Sequence, residues 1–372
     1  MSEQFRDIAP ELQPFVSRSL IDGRAWERLL ERVGDLPGQA AAGVGFEFRL
    51  VGDASADLAV GVAPGSPLLD YYVARGKAAT PGSAAMSLGR FFAQANGSET
   101  ASGSSHPGWF ESAMLEYDAA EAAPGQPADP GLFIRLVHDK PDWPSLPPPR
   151  IFATTLASAV GWDHDEDEMQ AVERVYAALP PGSQVGQIGA MPGRALRAIR
   201  LIVDGVEEEE VRDFLGRLGW PGQTGQVVSA LDEMGDVAPV FRLSLDVSAD
   251  GLSPRLGLEY YPAGERRGFD HWLTTGRSAW RPIFERLEAL RWGQPDKARG
   301  LLDFTGLDKL FGERGVFILY RGINHVKVTI EADDVQAKAY AGLRFFRLDK
   351  DVRDDYEDKG GTRCGTDCAS NG

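Results

Sequence analysis

Gly45-Phe46-Glu47-Phe48-Arg49-Leu50 alternates apolar and charged side chains. After the turn residues Gly52-Asp53-Ala54-Ser55 the alternation resumes through Leu58, Val60 and Val62. A period of two marks a strand with one buried face, so 43–51 and 56–64 form a hairpin pattern. The pattern returns at 112–118 with 131–137, 184–191 with 196–204, 239–248 with 255–262, and 314–321 with 325–331, followed by a further strand at 337–347. Helical periodicity at 26–33, 84–95, 167–178, 207–218, 223–234, 269–292 and 295–311 separates most of the pairs. Phe46-Glu47-Phe48-Arg49-Leu50 and Val240-Phe241-Arg242-Leu243 are faintly alike, as a repeated unit would be.

Sorting side chains by face gives the pattern its content. Phe46, Phe48, Leu58, Val60, Ile134, Leu201, Leu243, Leu258 and Val328 are typical of one face and must pack against helices. The other carries Glu47, Arg49, Glu116, Asp118, Arg135, Arg200, Arg242, Ser244, Asp246, Arg255, Glu259, Tyr261, His325, Lys327, Thr329, Lys338 and Tyr340. An open antiparallel sheet with one wet face accounts for such a pattern. So does a closed one: five α-β-β-α repeats forming a ten-stranded antiparallel barrel, helices outside and the charged face lining a lumen. The second arrangement is favoured because arginine concentrates on that face in a chain of net charge −16. Charges inside a lumen are costly unless they pair or meet a charged ligand.

The acidic balance argues against nucleic acid and anionic membrane as partners. No apolar run is long enough for a signal peptide or a membrane span. The two cysteines, Cys364 and Cys368, lie near the C-terminus, so a core without disulfides and a cytoplasmic location are expected. Residues 1–348 read as one barrel domain. Pro141, Pro144, Pro147, Pro148 and Pro149 make 141–149 an internal linker, 96–108 a loop, and 349–372 a disordered polar tail.

Other signals are weaker. Asp163-His164-Asp165-Glu166-Asp167 has metal-ligand chemistry but also suits the acidic first turn of a helix. His106, His138, His164, His271 and His325 share no ligand spacing, and no metal site is assigned. The Cys, Thr, Ser and Gly of the tail resemble core peptides of ribosomally made, modified natural products.

Five α-β-β-α units, a Lys338-Ala339-Tyr340 step and arginines on several lumen strands resemble the ABBA, or prenyltransferase-barrel, family. The resemblance spans roughly residues 25–347 and rests on architecture. It implies that Arg135, Arg200, Arg242, Arg255, Lys327, Lys338 and Tyr340 bind an allylic diphosphate. Tyr261 and His325 would shield the cation, and Glu47, Glu116 or Glu259 would accept a proton from an aromatic or peptide acceptor. It implies no required cofactor, with Mg2+ as an optional companion of the diphosphate. For each arginine the alternative is a salt bridge inside the lumen, such as Arg242 with Asp246 or Arg255 with Glu259. The alternative function is a non-catalytic barrel that binds a peptide or small molecule, an accessory protein in peptide natural-product assembly. The sequence leaves the oligomeric state open.

Overall fold

The computed structural model describes residues 4–38, 40, 43–63, 65–95, 110–118, 129–136, 148–194, 196–263, 271–312, 315–332 and 334–348. The expected loop 96–108, most of the 141–149 linker and the tail 349–372 lie outside these residues.

The first strand, β1 (Gly43–Arg49), turns through Asp53 into β2 (Ala56–Val62), as the alternation requires. Three further hairpins follow: β3 (Phe110–Tyr117) with β4 (Gly131–Leu136), β5 (Gln184–Ala190) with β6 (Ile199–Asp204), and β7 (Val240–Ser248) with β8 (Gly251–Tyr261). Pairs of helices alternate with the hairpins: α1 (Phe5–Leu12) and α2 (Gly23–Val33), α3 (Pro67–Ala78) and α4 (Ala84–Ala95), α5 (Pro149–Ala159) and α6 (Glu166–Ala178), α7 (Glu208–Leu218) and α8 (Thr224–Met234), α9 (Arg277–Ala289) and α10 (Pro295–Phe304). Three more strands complete the sheet: β9 (Gly306–Gly312), β10 (Gly315–Glu331) and β11 (Asp334–Leu348).

The sheet closes. β11 pairs with β10 on one side and with β1 on the other, in register from Gly43 opposite Arg344 to Arg49 opposite Lys338. β10 in turn pairs with β8. Ten strands, β1 to β8 with β10 and β11, thus form an antiparallel barrel, and β9 is an eleventh strand beside the outer part of β10. This is the expected α-β-β-α barrel, and the open-sheet alternative is excluded.

The apolar strand face turns outward onto the helices. Phe46, Phe48, Leu58, Val60, Ile134, Leu201, Leu243, Leu258 and Val328 are all buried there, together with Trp26, Phe92, Phe152, Phe214, Trp280 and Phe304 from the helices. Each such side chain contributes about 1.5–3 kcal/mol of apolar burial. Lys297 at the start of α10 is buried as well. Its ammonium donates to the carbonyls of Arg49 and Asp53, both at 2.8 Å, and so pins α10 to the β1–β2 turn.

The last unit departs from the expected reading. The stretches 314–321 and 325–331 are not two paired strands but one, β10, and its hairpin partner is β11. Gly322-Ile323-Asn324 has turn composition, yet the chain passes through it with a β-bulge between Ile323 and His325. Gly322 serves packing instead: a Cβ there would run into the carbonyl oxygen of Trp272. The helix expected over 295–311 stops at Phe304, and 306–312 is β9. Leu307, Leu310 and Phe311 have helical spacing, but Thr305 already has extended backbone. The helix expected over 269–292 is shorter, a 3-10 turn at His271–Leu273 followed by α9. Helices α1, α3 and α5 were not expected. α3 carries a start signal that explains it: Ser66 accepts from the Leu69 N–H and Pro67 opens the helix.

Candidate functional site

Strand register decides who meets whom in the lumen. Glu47 on β1 stands opposite Tyr340 on β11, Lys327 on β10 opposite both Lys338 and Glu259, Arg242 on β7 opposite Glu259 on β8, and Arg200 on β6 opposite Asp246 on β7. The side chains are correspondingly paired. Lys338 and the Tyr340 hydroxyl both donate to Glu47. Arg200 is bidentate on Asp246, at 2.7 and 2.9 Å. Arg242 grips Asp204, reaches the Tyr261 hydroxyl at 3.3 Å and lies 3.7 Å from Glu259. Lys327 donates to the Ser244 hydroxyl at 2.8 Å and to Glu259 at 3.4 Å. Arg194, in the loop after β5, spans Glu116 at 3.1 Å and Asp118 at 2.8 and 2.9 Å.

Missing side chains make room for this network. A Cβ on Gly257 would meet the Lys327 side chain and Ser244, and one on Gly186 would meet Asp204 and Arg242. These glycines are there for the long charged side chains that cross them.

The three glutamates expected to exchange protons differ sharply. Burial pushes the Glu47 carboxyl up, but Lys338 and Tyr340 more than reverse this and hold it well below the usual carboxylate range. Burial opposes Glu259 in the same way, yet His325, Lys327 and Arg242 hold it at about 2. Glu116 goes the other way: burial and then the charge of Glu47 push it up to about 7, against the pull of Arg194. Burial and the neighbouring Arg200 bring Lys327 down to about 8, against Glu259 and Asp246. Burial raises the Tyr261 hydroxyl to about 12.

One end of the lumen opens into a cleft with about 340 Å³ of empty space including its mouth. Its lining holds five cations, Arg194, Arg200, Arg255, Lys327 and Lys338, against two acids, Glu47 and Asp246. Ser244, Thr329 and Tyr340 add hydroxyl donors. Little of this cleft is open inside its walls, about the room one water needs. Arg255 is the least engaged cation, 4.0 Å from the exposed Glu331.

Among the residues expected to hold a diphosphate, Arg200, Arg255, Lys327, Lys338 and Tyr340 therefore line one cleft. Arg242 lies further along the barrel with Asp204 and Tyr261. Arg135 stands opposite Gln187 and is not among the residues that line the cleft. His325 stacks on Tyr340 with ring centroids 4.2 Å apart and lies 5.7 Å from the Tyr261 ring. The salt-bridge partners differ from those expected: Arg242 meets Asp204 and Glu259 rather than Asp246, and Arg255 meets Glu331 rather than Glu259. Neighbours along a strand lose to neighbours across it. Arg194 was missed altogether, because it sits in a loop and carries no strand periodicity.

The acidic run at 163–167 starts α6. Asp165 caps the helix by accepting from the N–H groups of Asp167 and Glu168, and Arg150 bridges Glu166 and Glu173. Among the described residues, no three His, Cys, Asp or Glu side chains are grouped to hold a metal ion. No helix among them is long and apolar enough to cross a membrane.

No family model and no curated protein matches the chain. Among solved structures, the crystal structure of AnaPT from Neosartorya fischeri is similar over 82% of this chain and 77% of that one, at 10% identity and a TM-score of 0.42.

Proposed function

We propose that the barrel binds a diphosphate-bearing small molecule in the cationic cleft and transfers its prenyl group to an aromatic or peptide acceptor. The observation that carries this reading is the excess of five cations over two acids in the cleft lining of a chain whose net charge is −16. Carboxylates behind the lining, such as Glu116, Asp118 and Glu259, already answer these cations, so an anion in the cleft would compete with them for the same donors. Arg200, Arg255, Lys327 and Lys338 are proposed to hold the diphosphate, with Ser244, Thr329 and Tyr340 donating to its oxygens.

In the transfer, the carbon–oxygen bond breaks and its electron pair leaves on the diphosphate, where fixed cations stabilise the growing charge. The acceptor forms the new bond to the prenyl carbon and gives up a proton to a lumen carboxylate. Glu47, Glu116 and Glu259 are the proposed candidates. Tyr261 and His325 are proposed to shield the allylic cation with their rings. No cofactor is part of this reading, and Mg2+ would enter only with the diphosphate. The soluble partners proposed are therefore a prenyl diphosphate and an aromatic or peptide acceptor.

A second reading is supported by how little open space the cleft has. The alternative is a non-catalytic barrel that binds an anionic small molecule or peptide, as an accessory protein would. Incubation with dimethylallyl and geranyl diphosphate and a panel of tryptophan- and tyrosine-containing peptides separates the two. Transfer predicts a mass gain of one prenyl unit on an acceptor. Diphosphate binding without any prenylated product supports the accessory reading instead.

A further inference from the structure

Arg194 occupies a place that no other lumen cation among the described residues shares. It comes from the loop between β5 and β6, not from a strand, yet its guanidinium reaches into the lumen and lines the cationic cleft. There it lies between two kinds of partner. On one side are the carboxylates of Glu116 and Asp118, at 3.1 and 2.8 Å. On the other is the cleft with Arg200 and Lys338. Glu116 is buried, whereas Arg194 keeps 23% of its side chain exposed.

The charge balance makes this position consequential. Five cations (Arg194, Arg200, Arg242, Lys327 and Lys338) answer six carboxylates, Glu47, Glu116, Asp118, Asp204, Asp246 and Glu259. A polyvalent anion entering this network competes with those carboxylates for the same donors. Losing a cation leaves a buried carboxylate uncompensated, which is costly unless it takes up a proton. Asp246 and Glu47 have bidentate or doubled partners that would have to give way. Glu116 has a single Arg194 contact, so it is the carboxylate most easily left alone, although an anion that draws Arg194 into the cleft also has to loosen its two-point grip on Asp118.

We propose that Arg194 is shared between Glu116 and the bound anion, so that the barrel takes up a phosphate-bearing anion and a proton on Glu116 together. The proposal rests on the reading that the cleft binds a diphosphate. The charged and titratable groups around Glu116 include Glu47 on β1, the buried Asp57 on the adjacent β2 opposite Glu47, Asp118 beyond β3, Arg194, Arg200 on β6 and Tyr340 on β11. Glu47 and Asp118 resist its ionisation, and Tyr340 is already committed to Glu47. Once Arg194 is drawn away, Arg200 is left to oppose them, and Arg200 is held by Asp246.

The test is calorimetric titration of inorganic pyrophosphate into the full-length protein at pH 7.5, in two buffers of different ionisation enthalpy. The buffer dependence of the heat gives the protons taken up. The wild type is expected to take up about 0.3–0.8 proton more than Glu116→Gln, which subtracts the ligand's own titration. Arg194→Ala is expected to lose the extra uptake and to bind about 10–100-fold more weakly, and Arg194→Lys to recover part of both. Equal proton uptake in wild type and Glu116→Gln overturns the coupling while leaving the anion site standing. So does Arg194→Ala binding within twofold of wild type. No binding by any variant overturns the diphosphate reading as well.

Discussion

Arg200 on β6 and Asp246 on β7 stand opposite each other on adjacent strands of the lumen wall, and their side chains meet in a two-point ion pair at 2.7 and 2.9 Å. Both are largely buried. Burial works against the Asp246 carboxyl, and Arg200 overrides it to keep it lowered and charged. The pair shows how the lumen is built: cross-strand register brings unlike charges together, and each depends on the other.

Asp246→Ala therefore leaves a buried guanidinium without its carboxylate. The expected cost is about 3 kcal/mol of stability. The double variant Arg200→Met/Asp246→Leu, which removes both charges, is expected to recover most of it. Denaturant unfolding of the three proteins measures this. An Asp246→Ala loss below about 1 kcal/mol would mean that water or another group relieves Arg200.

Arg255 predicts the opposite separation of stability from binding. Among the described residues its ion pair is a loose one with the exposed Glu331, at 4.0 Å, and it lines the cleft. Arg255→Ala is expected to shift the melting temperature little and to weaken diphosphate binding about tenfold or more, the value of a hydrogen bond to a charged group. A large melting shift with unchanged binding would move Arg255 out of the site and into the scaffold.

Glu259 sets an acid limit. Its folded value of about 2 lies below that of an unfolded glutamate, because His325, Lys327 and Arg242 outweigh the burial that pushes it up. A depressed acid contributes stability above its unfolded pKa of about 4.3 and loses it as pH falls toward 2. Glu259→Gln is expected to be less stable than wild type at pH 7, with the gap closing between about pH 4 and 2. A gap independent of pH in that window would assign the effect to packing.

Glu116 runs the other way. Burial and Glu47 raise its folded value to about 7, so its ionisation costs stability progressively as pH rises from about 4.3 to 7. Glu116→Gln is expected to gain on wild type across that range and to be relatively most stable above pH 7. Thermal melts from pH 5 to 8 would show the difference, and a flat difference would contradict the raised value.

How far the sequence led follows from what each element depends on. The alternation of Phe46, Phe48 and Leu50 against Glu47 and Arg49 was enough to sort both faces, since burial imposes period two directly. Closure was a matter of inference from charge, and the register from Gly43 opposite Arg344 to Arg49 opposite Lys338 supplies it. The last hairpin was misread because Gly322-Ile323-Asn324 has the composition of a turn, and only its contact with Trp272 explains the glycine. Individual strand residues could be placed in the lumen, but their partners could not. Arg242 finds Asp204 and Arg200 finds Asp246 through pairings between strands that no single strand encodes. Arg194 was invisible for a related reason: a loop residue has no periodicity to betray the direction of its side chain.

The central claim is that five cations around one cleft are there for a diphosphate, and titration of dimethylallyl diphosphate into the wild-type protein at low ionic strength tests it most directly. Saturable binding that weakens as salt is added, and that Arg255→Ala and Lys327→Met both impair, is the result expected. No saturable heat at millimolar ligand would contradict it, and the lumen would then be a self-neutralised ion-pair core with no anion to receive.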